Sequence, residues 1–159
     1  MSEDRISATR RIAASAADIF AIVSDPKGHV AIDGSHMLVA APSALPLTAV
    51  GDTFTIDMDR DALGDMPLGK YTVENVVTKI EPGTLFEWGV GIPGRGQVGH
   101  VYGYELVAVD DGTTDVTSYC DWSGIGDEMR NAIRWPVVPK MALISTLEKL
   151  DRLATNTDS

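Results

Sequence analysis

A chain of 159 residues with 44% hydrophobic side chains carries enough apolar material for one core in one domain, residues 1–159. Thirteen basic against 23 acidic residues give a net charge of −10, which repels phosphate backbones and anionic lipid and argues against nucleic acid as a partner. The single cysteine, Cys120, excludes an internal disulfide and a multi-cysteine zinc site, and no apolar run nears the ~20 residues of a membrane span.

The opening MSEDRIS has neither the basic nor the apolar region of a signal peptide, so a cytoplasmic address without membrane insertion is expected. Ile6–Ile12 alternates as a first strand. Ser15, with Asp18 three residues on, is a weak capping box ahead of a helix with Ala16, Phe20 and Val23 on its apolar face. Asp25-Pro26 stops that helix, and a second short one is expected over Gly28–Asp33.

From Met37 the texture changes to strands. MLVAA (37–41) is followed by a loop that closes at Val50-Gly51-Asp52. Thr53–Asp59 sets Phe54, Ile56 and Met58 against Thr55, Asp57 and Asp59, the clearest period-two signal in the chain. After a turn-rich connector (62–70), Tyr71–Ile80 is a long strand ending at the turn Glu81-Pro82-Gly83. Thr84–Val90, His100–Val109 and Thr114–Trp122 complete a meander of six strands. GRGQVG (94–99) meets the G-x-G-x-x-G spacing of a dinucleotide site, but a strand follows it where a helix is needed. It reads instead as a wide hairpin, placed to act as a lid.

The last third, Gly126–Ala154, is the only long segment with helical period. Leu143, Leu147, Leu150 and Ala154 recur at three- and four-residue spacing. Pro136 and Pro139 conflict with one continuous helix, because an interior proline removes a backbone hydrogen bond at a cost of ~3 kcal/mol. A main helix starting at Pro136, with a break or bend at Trp135 after a shorter leading helix, removes the conflict. Residues 155–159 are expected to be a disordered tail.

This order of elements is similar to the helix-grip fold of the START-like, pollen-allergen-like superfamily. ISATRRIAASAADIFAIVSDPKGHVAIDGS (6–35) resembles the opening of its polyketide cyclase/dehydrase group, and VGDTF (50–54), IEPGTLFEW (80–88), YELVAVDDGTTDVT (104–117) and STLEKLDRL (145–153) resemble later landmarks of that group. The resemblance implies an α+β fold: a curved, seven-stranded antiparallel sheet wrapped around a long C-terminal helix, with two short helices between strands one and two. It also implies an internal hydrophobic cavity. That group often has a tryptophan in the second short helix, where this chain has Ala31-Ile32.

If Phe54, Ile56 and Met58 face the helix, alternation sends Phe86 and Trp88, Tyr102 and Tyr104, then Cys120 and Trp122 to the same side. Tyr71 and Ser118 are the polar handles among them, and Met129, Ile133, Trp135, Met141 and Ile144 close the space from the helical side. Such a lining suits a small hydrophobic or aromatic ligand, lipid or polyketide-like. The alternative is a polyketide cyclase or dehydratase. In it His100 is the general base, while Tyr102, Tyr104 and Arg134 are acid and oxyanion-stabilising candidates. No cofactor and no metal are expected. His36 with Asp33 and Asp25 is the one grouping that could be imagined as a metal site. A small hydrophobic ligand is the expected partner, bound by a monomer or homodimer.

Overall fold

The computed structural model describes residues 4–35, 37–42, 47–63 and 69–155. The elements in order are β1 (Arg5–Ile12), α1 (Ala16–Val23), α2 (Pro26–Ile32), β2 (Leu38–Ala40), β3 (Thr53–Asp59), a 3-10 turn (Arg60–Leu63), β4 (Lys70–Glu81), β5 (Leu85–Ile92), β6 (Gly96–Asp110), β7 (Thr113–Asp121), α3 (Asp127–Ala132) and α4 (Lys140–Thr155). Seven strands form one sheet in the order β1-β7-β6-β5-β4-β3-β2. Every neighbouring pair is antiparallel, and the sheet curls into a half-barrel around the C-terminal helix. This is the helix-grip fold.

Local chemistry accounts for the helical boundaries. The Ser15 hydroxyl accepts from the Asp18 amide at 3.1 Å, satisfying one orphan donor at the start of α1. The second helix begins earlier than its sequence pattern suggested. Asp25 caps it by accepting from the Lys27 amide at 3.0 Å, and Pro26 takes the first helical position, where no N–H is needed. One proline thus both ends α1 and opens α2.

The register fixes which side chains share the concave face. Ile56 stands opposite Val73, Met58 opposite Tyr71, Phe86 opposite Tyr104, Trp88 opposite Tyr102, and Tyr104 opposite Ser118. Directly opposed residues point to the same face, so the inward set read from alternation holds across five strands. Irregularities in β4–β5 and β5–β6 bend these long strands into the curl.

The break in the C-terminal helical region is present but wider than expected. The chain is non-helical from 133 to 139, the Trp135–Pro136 peptide is cis, and α4 starts at Lys140. Both prolines lie ahead of the helix, and Pro139 contributes its carbonyl to the Ala142 amide at 2.9 Å. The buried row of α4 is Ala142, Leu143, Thr146, Leu147 and Leu150. Met141 is 70% exposed, contrary to the expectation that it closes the cavity. Two residues at about 100° each carry it to the side opposite Leu143.

Helix α4 packs chiefly on β1. Arg10 on that strand pairs with Asp151 at 2.7 Å. The other contact is a close backbone approach. The Gly34 amide donates to the Thr146 hydroxyl at 2.9 Å, and a Cβ on Gly34 would lie 2.4 Å from the Ala142 carbonyl oxygen and 2.7 Å from the Thr146 nitrogen. No flexible tip is available to yield. Gly34→Ala is expected to lower stability by about 1–3 kcal/mol through overpacking, read as a lower urea midpoint with an unchanged slope; an unaltered midpoint would contradict this docking geometry.

Candidate functional site

Because α4 covers the β1 side of the curl, the concave surface of β3–β6 is left to other elements. A cavity of about 290 Å³ lies there. Its floor is Ile56 and Met58 from β3, Tyr71 and Val73 from β4, Trp88 and Val90 from β5, and Tyr102 and Tyr104 from β6. Its roof is Met129 of α3, Ile133, Trp135, Val137 and Val138 of the non-helical stretch, and Ala142, Leu143 and Thr146 of α4. Trp88 and Tyr102 are near-parallel, with ring centroids 5.8 Å apart and planes at 26°. The walls are apolar, mostly aliphatic with Tyr71, Trp88, Tyr102, Tyr104 and Trp135 among them.

One end is plugged by a residue that the sequence reading passed over. His29 of α2 is 3% exposed; its ring lies 4.4 Å from Trp88 and meets Phe54 and Phe86 edge-on at 5.4 and 5.6 Å. Its Nε2 donates to the Val23 carbonyl at 2.6 Å in the neutral tautomer that this contact requires. Phe54 and Phe86 therefore pack behind His29 instead of lining the cavity. The clue was present in the chain: Pro26, His29 and Ile32 recur at three-residue spacing, and all three are buried.

At the other end stands His100, 6% exposed, edge-on to Trp135 at 4.8 Å and to Tyr102 at 5.5 Å. A bulge in β6 puts it there. Between the Gly89–Val101 and Gly91–Gln97 pairs, β5 advances two residues and β6 four. Gly99, at φ +120, carries the kink, and a Cβ on it would come 2.7 Å from the Gly124 carbonyl oxygen. The expected wide, lid-like loop at 94–99 is instead a tight turn inside a continuous hairpin: β5 runs to Ile92, β6 starts at Gly96, and Arg95 N–H bonds the Ile92 carbonyl at 2.8 Å.

Four further polar groups on this surface were not singled out from the sequence: Ser35, Arg60, Asn75 and Thr146. Arg60 is 5% exposed and Asn75 3%. Burial depresses the His100 pKa to about 4, with the Arg60 charge adding to the effect, and burial likewise lowers His29 to about 4. Both rings are neutral near pH 7. Burial also raises the Tyr102 and Tyr104 hydroxyls above their ordinary range, so both are donors, not phenolates.

The remaining expected site residues are placed as follows. Ser118 borders the cavity. Trp122 lies outside it, packed with Cys120 and Ile125 in a second cluster behind Tyr102. Cys120 is fully buried, and burial pushes its thiol up to about 12, leaving it inert. Arg134 is exposed on the non-helical stretch, between the lining residues Ile133 and Trp135, and does not itself border the cavity. Asp25 and Asp33 are engaged locally, Asp25 capping α2 and Asp33 accepting from the Ser35 and Leu38 amides at 2.9 and 3.1 Å. His36 lies outside the described residues. Among the described residues no group of three or more His, Cys, Asp or Glu is placed to hold a metal, and no helix is long and apolar enough to cross a membrane.

No protein-family model matches the chain. Uncharacterized protein Rv0088 of Mycobacterium tuberculosis is 30% identical over 134 residues, covering 82% of this chain and 53% of that protein. The chain thus spans about half the length of the curated relatives it matches. Among solved structures, a Rhodobacter sphaeroides protein superposes with a TM-score of 0.66 at 15% identity, covering 99% of this chain and 95% of that one. Protein MLL2253 of Mesorhizobium loti gives 0.63 at 18% identity, with 98% and 99% covered. Norcoclaurine synthase from Thalictrum flavum, solved in complex with dopamine and hydroxybenzaldehyde, gives 0.62 at 15% identity, with 98% and 88% covered. At these identities the likeness is one of fold.

The two neutral histidines link the site to stability. Each folded-state pKa lies below the ordinary 6.5, so the unfolded chain binds more protons between pH 6.5 and 4. Their contribution is complete above pH 6.5 and is lost as pH falls toward 4. The expected slope is up to about 1.4 kcal/mol per pH unit for each ring. Urea unfolding at pH 7, 6 and 5 should show the decline, and His100→Phe should roughly halve it. Equal stability at all three values would show that the rings titrate normally.

Proposed function

We propose that this chain binds a small hydrophobic or aromatic molecule in the cavity between the curled sheet and the C-terminal helical region. The carrying observation is an apolar space in which Trp88 and Tyr102 lie near-parallel and whose bordering His29, His100, Tyr102 and Tyr104 are neutral. A volume near 290 Å³ is at the small end for ligand sites, which favours one or two rings over a long acyl chain. The resemblance to the polyketide cyclase/dehydrase group and the fold shared with a norcoclaurine synthase that holds two aromatic compounds support the same class. The neutral dye N-phenylnaphthylamine should bind with a Kd on the order of micromolar. Val90→Phe, which fills the floor, should weaken it at least tenfold. Mass spectrometry under native conditions should find an aromatic compound carried through purification. A wild-type protein that takes up no dye at any concentration would refute the reading.

A second reading, cyclisation or dehydration of a bound poly-keto compound, is favoured by one observation. His100 is neutral, buried at the cavity wall, and its Nδ1 has no hydrogen-bond partner. In that chemistry the imidazole takes a proton from an activated methylene, the resulting enolate attacks a carbonyl to form the new C–C bond, and the alkoxide takes that proton back to become a hydroxyl. Removal of a second proton from the same carbon by the imidazole and its delivery to the hydroxyl then break the C–O bond, form the C=C bond and release water. Tyr102 and Tyr104 would donate to the developing oxyanion. His100→Phe should then retain dye binding while abolishing turnover of a poly-keto substrate; retained turnover would remove His100 as the base.

A further inference from the structure

Three residues on neighbouring strands form a row across the cavity floor. Asn75 of β4 stands opposite Val90 of β5. On the far side of Val90, the bulge in β6 turns His100 into the same surface. The outer two strands are two spacings apart, about 10 Å between backbones. Asn75 and His100 both border the cavity and are 3% and 6% exposed. Asn75 Oδ1 and His100 Nδ1 have no partner, and among the described residues neither side chain makes a hydrogen bond through its other end.

A buried amide and a buried imidazole left unpaired are costly, and native cores rarely keep them. Both groups are also two-sided. The amide offers a carbonyl and an NH2, and a half-turn about χ2 exchanges them; the neutral imidazole carries one donor and one acceptor nitrogen. A hydroxyl, which donates and accepts, satisfies either end of each group. An ether can only accept, and a hydrocarbon does neither. The apolar Val90 between them and the Trp88 and Tyr102 rings beside them select a flat body joining two such hydroxyls.

Resting on the ligand-binding reading above, we propose that the occupant is a planar ring system with hydroxyl groups on two opposite edges. It lies across Val90 with one hydroxyl on the Asn75 amide and the other on the His100 imidazole. Asn75 and His100 are then the specificity-determining residues of the site.

Isothermal titration with four probes tests this: a naphthalenediol with its hydroxyls at opposite ends of the long axis, the mono-hydroxyl parent, the diol's dimethyl ether, and naphthalene. Each hydroxyl should tighten binding about tenfold, and the ether, which can accept but not donate, should bind more weakly than the diol. Asn75→Leu and His100→Phe preserve size, and each should erase one of the two steps while leaving naphthalene bound as well or better. The wild-type series is informative even if a variant fails to fold. Equal affinity for diol, ether and hydrocarbon overturns the inference while leaving ligand binding intact, as does an unchanged diol preference in both variants. Failure of all four probes, naphthalene included, overturns the ligand-binding reading itself.

Discussion

The structure depends on where α4 is allowed to sit. Its backbone comes so close to Gly34 that no side chain fits between them, and its far half is anchored by the fully buried Leu147 and Leu150, beside the Arg10–Asp151 pair on β1. A helix of 16 residues is about 24 Å long. Held to β1, it does not fill the concave surface of a sheet whose longest strand runs 15 residues. The uncovered part must be roofed by something shorter and less regular, and α3 with the stretch at 133–139 does so. A helix free to shift toward β4 and β5 would bury that surface directly and leave a solid core. The cavity is a by-product of docking before it is anything else.

What lines the space then matters more than that it exists. A curved sheet can be sealed with leucine and valine, and much of this one is. The exceptions at the cavity are His29, Arg60, Asn75, His100 and Ser118, all 6% exposed or less. An unsatisfied buried polar group costs about 1–3 kcal/mol, against a total stability for a typical domain of about 5–15 kcal/mol. Arg60 and His29 have partners; among the described residues Asn75 Oδ1 and His100 Nδ1 have no hydrogen-bond partner. Two such costs on one floor are hard to reconcile with packing alone and are consistent with groups kept for an occupant.

Much of this architecture was legible in the chain. Phe54, Ile56 and Met58 announced their strand and its inward face, and Pro136 and Pro139 announced that the helix could not be continuous. The misses share one cause. Inward positions were recognised by apolar side chains, so polar residues in the same phase went unseen. Arg60 continues the series 54, 56, 58; Asn75 continues 71 and 73; His29 shares a helical face with Ile32. Phe54 and Phe86 do point inward, but that a histidine from α2 would cover them is a tertiary fact that no strand pattern carries. Met141 failed on helical phase, once the helix started at Lys140. The bulge at Gly99 was hidden in a glycine run that had been read as a loop.

The roof has a kinetic consequence. Between Ile133 and Lys140, no backbone N–H donates to another described backbone carbonyl. What holds this stretch is apolar packing, with Val138 buried in the main core and Trp135 edge-on to His100 at 4.8 Å, together with the Trp135 indole donating to the Met129 carbonyl at 3.0 Å. Lifting it breaks no backbone ladder, and its cost is the apolar contact of Val138 and Trp135. Local opening of this kind is far more frequent than global unfolding. For the molecule proposed to bind there, exit past this stretch would not require the sheet to open. Residence time and fold stability become separate quantities, adjustable through different residues of the same chain.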